Sequence, residues 1–251
     1  FGGDDAKTDG NLITLPSIDE HHEMSEVDVR VARGYVDHEA AHVKWTDNRV
    51  WSNLMDDRKD DPNIDVFHST LNALEDVRIE GKLLAQYSGS RDNLDAVADA
   101  VGNELRANLD GQSLAELSAR EVGALAATWY GRGRKSYGRV GAEMFKEVHP
   151  DVQKIVIQHV DKIYTQTSLE ETAIIAESMI TCFDRHDEDS NESKEGSMRK
   201  GKTSTSDESR EDESEANRGD EVISDEKAKD KVLKKATGTD KAFEQAGYRR
   251  F

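Results

Sequence analysis

The sequence predicts a predominantly helical α+β fold, with a short N-terminal strand or small sheet and a disordered acidic tail. Three observations lead to this prediction. A short apolar run, Leu12–Leu15, stands directly before Pro16 and suits an edge strand. Between about residues 19 and 183, apolar residues recur at helical spacing. Residues 184–236 have almost no aromatic or branched apolar side chains, so they cannot bury enough surface to offset the entropy of ordering.

The first predicted helix runs from about Asp19 into a histidine-containing stretch. It follows residues 1–11, which are rich in Gly and Asp and are expected to be flexible. A charged break at 56–63, which contains Pro62, ends this part of the chain. The helix is predicted from apolar residues at helical spacing, namely Val27, Val31, Tyr35, Val36 and Val43.

The remaining helices are predicted from apolar stripes, capping boxes and a proline in a first turn. In chain order they are a second helix over 64–86, a third over 94–105, a fourth opened by the capping box Ser113–Glu116 and ending near Tyr130, a fifth beginning at Pro150, and a sixth opened by the capping box Ser168–Glu171 and ending near Phe183.

These elements divide the chain into four regions. They are a flexible N-terminus over 1–11, a helical domain over 12–183, an acidic disordered linker or tail over 184–236, and a C-terminal remnant over 237–251. Because the chain begins at Phe1 and not at Met, we expect a fragment or a processed product, with a further domain beyond the remnant.

The composition excludes several classes of protein. The formal net charge is −18, and such an acidic chain repels a phosphate backbone, so nucleic acid is not expected as a partner. The basic and aromatic stretch 129–139 is therefore expected to dock the acidic tail or a protein partner. Cys182 is the single cysteine, which fits a reducing compartment. No apolar run approaches the roughly 18 residues needed to span a bilayer, and we expect a cytoplasmic protein that does not enter a membrane.

The strongest chemical signal is His38-Glu39-Ala40-Ala41-His42. Side chains four apart lie on the same face of a helix, so both imidazoles can reach one tetrahedral Zn²⁺ ion. Glu39 is turned about 100° away from His38 and can act as the base that takes a proton from water. Tyr35, Val36 and Val43 surround the motif with apolar positions, which a solvated helix face would lack.

A third zinc ligand is expected from the second helix, where acids stand at 75, 76 and 80. Acids on a core helix are costly unless they are paired or bind a metal. Glu75 and Asp76 point about 100° apart, so a single face offers only one of them, and Glu75 is favoured over Asp76. Glu80 is interpreted as the partner that orients Asp76. Arg78 is expected to pair with these acids, or to stabilise an oxyanion if it reaches the cleft.

Two blocks of the sequence resemble a known family. Gly34-Tyr35-x-x-His38-Glu39-x-x-His42 with Trp45-Thr46-Asp47, and Leu74-Glu75-Asp76-x-Arg78-Ile79-Glu80, resemble the zincin-type metallopeptidase domain of phage and bacterial proteins related to the cobalt-chelatase CobT subunit. The resemblance covers about residues 12–183. It implies a zincin-like fold in which zinc is held by His38, His42 and a carboxylate at 75 or 76, with Glu39 as the base.

In that family the domain is typically followed by an acidic linker and a von Willebrand factor A domain, and a MoxR-type AAA+ ATPase is the partner. Residues 184–236 have the character of such a linker, whereas no Asp-x-Ser-x-Ser motif occurs near the C-terminus.

Two functions are therefore expected. The first is a zinc-dependent metallopeptidase that hydrolyses a peptide or protein substrate, which the strand Leu12–Leu15 would align by edge pairing. The alternative is a non-catalytic, CobT-like scaffold for a MoxR-type AAA+ ATPase, with a structural or vestigial metal site.

Overall fold

The computed structural model describes residues 7–8, 12–15, 23–109 and 111–200. Two strands and eight α-helices occur in this part of the chain. The strands are β1 (Lys7–Thr8) and β2 (Ile13–Thr14), and the helices are α1 (Glu26–Trp45), α2 (Asn48–Asp56), α3 (Ile64–Gln86), α4 (Arg91–Asn108), α5 (Ala119–Arg134), α6 (Arg139–Phe145), α7 (Pro150–Ile163) and α8 (Leu169–Lys200). The predicted fold class, predominantly helical with a small N-terminal sheet, is confirmed. None of the described helices has the length and apolarity that crossing a membrane requires.

The two strands form a small antiparallel sheet in which Lys7 pairs with Thr14 and Thr8 with Ile13. The sheet lies against α1. The predicted strand Leu12–Leu15 is thus found as β2. Its partner β1 falls within 1–11, where flexibility was expected; the rest of that region lies outside the described residues.

Helix α1 begins at a capping box that was not recognised in the sequence. The Ser25 hydroxyl accepts from the Asp28 N–H (3.2 Å), and the Asp28 carboxylate accepts from the Ser25 N–H (2.8 Å). Gly34 brings α1 close to α4, since a Cβ at this position would lie 2.3 Å from the Asn93 carbonyl oxygen. This close approach fixes the rotation of α1, and therefore the direction in which its histidines point.

Two helices were not predicted. Helix α2 begins where the Asp47 carboxylate accepts from the N–H groups of Arg49 and Val50, and it buries Trp51. Helix α6 has only seven residues, too few for a periodic pattern to be recognised. The start of α5 was also placed wrongly. Its capping box is Ser118 with Glu121, whereas Ser113 precedes a short 3₁₀ turn, Leu114–Glu116.

The sixth predicted helix is longer than expected. Its capping box, Ser168 with Glu171, is present, but α8 continues beyond Phe183 to Lys200. Acids of the polar segment explain the extension as far as Asp187. The Asp187 carboxylate accepts from the first N–H groups of α5, those of Ala119 and Arg120, and Asp184 pairs with the Arg120 side chain. The predicted linker 184–236 therefore begins within α8, while residues 201–251 lie outside the described part of the chain.

Helix α3 is the centre of the domain. It contacts α1, α5, α7 and α8, and its side chains from Ala73 to Glu80 are all buried. Leu71 and Leu74 are completely inaccessible and belong to the main apolar cluster. A helix surrounded in this way would normally be apolar on every face. The acids and the arginine on α3 must therefore find partners on its neighbours.

Candidate metal centre

Two histidines of α1 and one acid of α3 converge on a single point. The Nε2 atom of His42 lies 3.2 Å from Nε2 of His38 and 3.2 Å from Oδ1 of Asp76. The His38 Nε2 atom lies 3.7 Å from the same carboxylate oxygen. All three side chains are buried, and they form a group of potential metal ligands.

The other ring nitrogen of His38 faces an ion-pair cluster. Its Nδ1 atom lies 2.9 Å from Oε1 of Glu80. The Glu80 carboxylate also accepts two hydrogen bonds from the Arg132 guanidinium (2.8 and 3.0 Å) and one from the Tyr137 hydroxyl. Burial alone would raise the pKa of Glu80, but Arg132 and His38 outweigh it and hold the pKa well below its usual range. Glu80 is therefore a carboxylate, which can only accept, and His38 carries its hydrogen on Nδ1.

The other ring nitrogen of His42 is held through a hydroxyl. Its Nδ1 atom lies 3.0 Å from Oγ1 of Thr46, and the Thr46 hydroxyl donates to Oε1 of Glu75 at 2.6 Å. Since Thr46 has used its hydrogen on Glu75, its oxygen accepts from Nδ1–H of His42. Glu75 is fixed in turn by two hydrogen bonds from Arg78 (2.6 and 2.7 Å).

These two chains of hydrogen bonds determine which nitrogen of each histidine faces the centre with a lone pair. In the neutral form of each histidine, Nδ1 carries the hydrogen and Nε2 carries a lone pair. Two lone pairs and a carboxylate oxygen then face one another within 3.7 Å. Such an arrangement is repulsive unless a cation or a proton lies between the three atoms. It is also the donor set, two imidazoles and one carboxylate, that binds divalent transition metals.

Protons can fill this role when no metal is bound. Burial tends to lower the pKa of His38, but the nearby carboxylates of Asp76, Glu80 and Glu39 outweigh it and raise the pKa to about 9. At neutral pH the metal-free histidine therefore holds an extra proton, on the Nε2 atom that faces Asp76.

Glu39 lies beside the centre with one oxygen uncommitted. The side chain is buried, and its Oε2 atom has no hydrogen-bond partner among the described residues. Burial raises the pKa of Glu39, an effect that the two histidines partly oppose. A buried carboxylate oxygen without a partner is costly and is found where a ligand, a water molecule or a proton is held. Glu39 can therefore accept a proton next to the metal ligands.

The charges of the cluster do not balance while its histidines are neutral. All the buried acidic and basic side chains of the described residues, apart from the isolated His159, belong to this one cluster. It holds four carboxylates and two guanidinium groups, so two negative charges remain when the histidines are neutral. One divalent cation would neutralise them. The six side chains are Glu39, Glu75, Asp76, Glu80, Arg78 and Arg132.

The positions of four residues on α3 correct parts of the interpretation made from the sequence. Asp76, and not Glu75, lies with the histidines, because α3 turns Glu75 toward Thr46 and Arg78. Glu80 orients His38 and not Asp76. Arg78 pairs with Glu75 as expected, and it also donates to the carbonyl oxygens of Trp45 and Thr167, so it is occupied by the fold.

One further expectation about side chains was wrong. Val36 and Val43 are exposed, so they do not surround the motif with apolar contacts, as was expected from the sequence. The expectation that the basic stretch 129–139 docks the acidic tail or a protein partner stays a prediction, and Arg134 and Arg139 are exposed. Arg132 is buried on Glu80, and the other basic groups also have contacts within the domain: Arg134 pairs with Asp161, Lys135 lies over the ring of Tyr164, and Arg139 pairs with Glu143.

A second group of potential ligands, His149, Asp151 and His186, was not predicted from the sequence. This group is much less developed. Asp151 is exposed and pairs with Lys154, and the Nδ1 atom of His149 already accepts from the Asp151 N–H as the cap of α7. Only the fold could reveal this group, since His186 is 37 residues from His149 along the chain.

The fold and the site thus define a helical domain with a candidate metal centre. In this centre the helix that carries HExxH crosses a second helix, which supplies an acid as the third potential ligand. Residues 1–121, just under half of the chain, match the family model described as cobalamin biosynthesis protein CobT, and this part of the chain is CobT-like. No curated protein and no solved structure matches the chain significantly. The matched stretch contains His38, His42 and Asp76 and ends before Arg132.

Proposed function

We propose that the domain binds one Zn²⁺ ion through His38, His42 and Asp76 and acts as a metallopeptidase. One observation carries the assignment: two imidazole nitrogens and a carboxylate converge in a buried cluster whose four carboxylates outnumber its two guanidinium groups. The donor set fits zinc, which takes two histidines and one acid in many hydrolytic sites. Zinc would supply a Lewis acid and a water molecule whose pKa is lowered to about 7.

The residues of the chain would then act on a peptide substrate in defined ways. Oε2 of Glu39 takes a proton from the attacking water and later delivers it to the leaving amine. The two histidines keep their orientation, because Glu80 holds His38 and Thr46 holds His42. The raised pKa of Glu39 suits this work, since a base operates best when its pKa approaches the working pH.

One observation favours the alternative, a CobT-like scaffold with a structural metal. The three ligands are between 1% and 6% exposed, so the described surface offers a large substrate little access to the ion. In this alternative the ion stabilises the contact between α1 and α3, and the domain serves as an adaptor for a MoxR-type AAA+ ATPase. That partner, like a cytoplasmic location, is part of the proposal.

The Glu39→Gln variant separates the two functions. Zinc content would be measured by elemental analysis, and hydrolysis with casein and by self-cleavage. We expect wild type and variant to hold one zinc ion each, with hydrolysis lost in the variant, because the glutamine amide keeps the shape of the side chain and cannot take a proton. Zinc in both proteins without hydrolysis in either would support the scaffold. Wild type that binds no divalent metal would refute the metallopeptidase and any scaffold that depends on a bound ion, and would leave only a scaffold with a vestigial site.

A further inference from the structure

Arg132 and Tyr137 lie on the far side of Glu80 from the histidines. Arg132 spans both oxygens of the carboxylate, with Nη2 on Oε1 (2.8 Å) and Nε on Oε2 (3.0 Å). The Tyr137 hydroxyl donates to Oε2, and the His38 ring takes the remaining position on Oε1. Glu80 therefore has four hydrogen bonds, and one of them leads directly to a candidate metal ligand. Neither Arg132 nor Tyr137 lies in a recognisable metal-site motif.

The backbone around these two residues is shaped to bring them to Glu80. At Gly131 helix α5 packs so closely on α3 that a Cβ there would lie 2.4 Å from Cγ2 of Val77. This contact places the next residue, Arg132, beside α3. In the turn 135–138, which joins α5 to α6, Ser136 has a φ of +61° and Gly138 a φ of +68°. A serine in the left-handed region is uncommon and strained.

The strained turn is held by groups from α4. The Asp95 carboxylate accepts from the Gly138 N–H at 2.7 Å, and the Asp99 carboxylate accepts from the Val140 N–H at 2.9 Å. The Arg91 side chain donates to the Lys135 carbonyl oxygen. As a result Tyr137, which lies between the two left-handed residues, is buried with its hydroxyl on Glu80. Strain of this kind persists where the surrounding structure enforces it, and it is concentrated at functional sites.

We propose that Arg132 and Tyr137 are positioning residues of the metal centre, which fix the Glu80 carboxylate so that His38 keeps its hydrogen on Nδ1 and directs Nε2 at the ion. The inference rests on the proposed metal site and adds α5 and the turn 135–138 to it. The centre then depends on a part of the chain beyond the stretch that matches the CobT family model.

The test uses three substitutions on α5. Arg132→Lys keeps the positive charge and loses the two-pronged contact, and Arg132→Gln loses both. Arg120→Lys is the control, because Arg120 also ties α5 to an acid, Asp184, but that acid does not contact a histidine. Zinc affinity would be measured by competition with a chelating indicator. We expect a loss of about 10- to 100-fold for Arg132→Gln, a smaller loss for Arg132→Lys, and a change within about twofold for the control.

Two spectroscopic measurements separate positioning from general stability. In the Co²⁺-loaded protein, the visible absorption bands report coordination geometry, and they should shift in the Arg132 variants and not in Arg120→Lys. In metal-free protein with ¹⁵N-labelled histidine, the Nδ1–H signal of His38 should be protected from exchange in wild type and lost in Arg132→Gln. Tyr137→Phe removes a single hydroxyl, and we expect about a fivefold loss of zinc affinity, which corresponds to one hydrogen bond of about 1 kcal/mol.

The outcomes distinguish this inference from the proposed function. If wild type binds zinc and the Arg132 and Tyr137 variants bind it equally well with unchanged Co²⁺ bands, the positioning role is refuted and the metal site stands. If wild type binds no metal, the proposed function fails, and the Nδ1–H signal alone decides whether Arg132 orients His38. Should Arg132→Gln fail to fold, Tyr137→Phe and Arg132→Lys give the answer.

Discussion

The assignment of Asp76, and not Glu75, as the third ligand can be tested by a pair of neutral substitutions. Asp76→Asn removes a charge whose oxygen lies 3.2 Å from Nε2 of His42, inside the centre. Glu75→Gln removes a charge that reaches His42 only through the Thr46 hydroxyl. Removing one partner of a buried ionic contact costs about 3–5 kcal/mol, or ~150- to 5,000-fold in affinity. Removing a group that orients a ligand costs about 10- to 100-fold.

The measurement is zinc affinity by competition titration on protein shown by circular dichroism to be folded. We expect Asp76→Asn to lose more affinity than Glu75→Gln, by roughly 30-fold at the midpoints of these two ranges. The Glu75 variant should instead lose thermal stability, because it leaves the buried guanidinium of Arg78 without its full counter-charge. Equal losses, or a larger loss for Glu75→Gln, would show that the ion does not lie between His38, His42 and Asp76.

Three further predictions concern stability and protons. Zinc at a free concentration of 100 times Kd stabilises the folded protein by about 2.7 kcal/mol, so its removal by a chelator should lower the melting temperature by about 5–11 °C. An unchanged melting temperature would exclude a zinc ion bound to the folded state. The pKa of His38 is raised from 6.5 to about 9, so its protonation stabilises the metal-free protein fully below pH 6.5, and this stabilisation is lost as the pH rises through 9. Thermal melts at pH 6 and pH 9, with and without zinc, should show the loss only without zinc. Gly34→Ala should destabilise by about 1–3 kcal/mol in urea unfolding, since its Cβ would collide with the Asn93 carbonyl, whereas Gly89→Ala, with nothing within 4 Å, should change stability by no more than about 0.5 kcal/mol.

Periodicity in the sequence was sufficient to predict the helices that carry the centre. Helix α3 was predicted at 64–86, and the structure places it at Ile64–Gln86. The histidine motif was placed on the first helix, which is α1. Both helices are long, and a long repeat of apolar positions is the most dependable signal that a single sequence carries. The helices that were missed are short and depend on a cap, as α2 does on Asp47.

The choice between Glu75 and Asp76 could not be made from the sequence for a physical reason. Both acids are completely buried, so a hydrophobic pattern does not distinguish them. Which of them faces α1 depends on how α1 and α3 rotate as they pack, and this rotation is fixed by contacts such as the one between Gly34 and Asn93. The roles of Arg132 and Tyr137 were beyond prediction in the same way, because they reach Glu80 from 52 and 57 positions away.

One helix accounts for the organisation of the whole centre. Asp76 and Glu80 are four residues apart and share a face of α3, whereas Glu75 is turned about 100° from Asp76. The face that carries Asp76 and Glu80 packs against α1, so Asp76 can approach the ion while Glu80 holds His38. Glu75 reaches the end of α1 and holds His42 through Thr46. Glu75 pairs with Arg78 and Glu80 pairs with Arg132, whereas no arginine pairs with Asp76. The negative charge of Asp76 therefore lies at the position where a divalent ion would bind. The block from Glu75 to Glu80 therefore supports the proposed cation site against α1, because Asp76 and Glu39 have no arginine and depend on a metal ion, or on a proton held by His38, for their counter-charge.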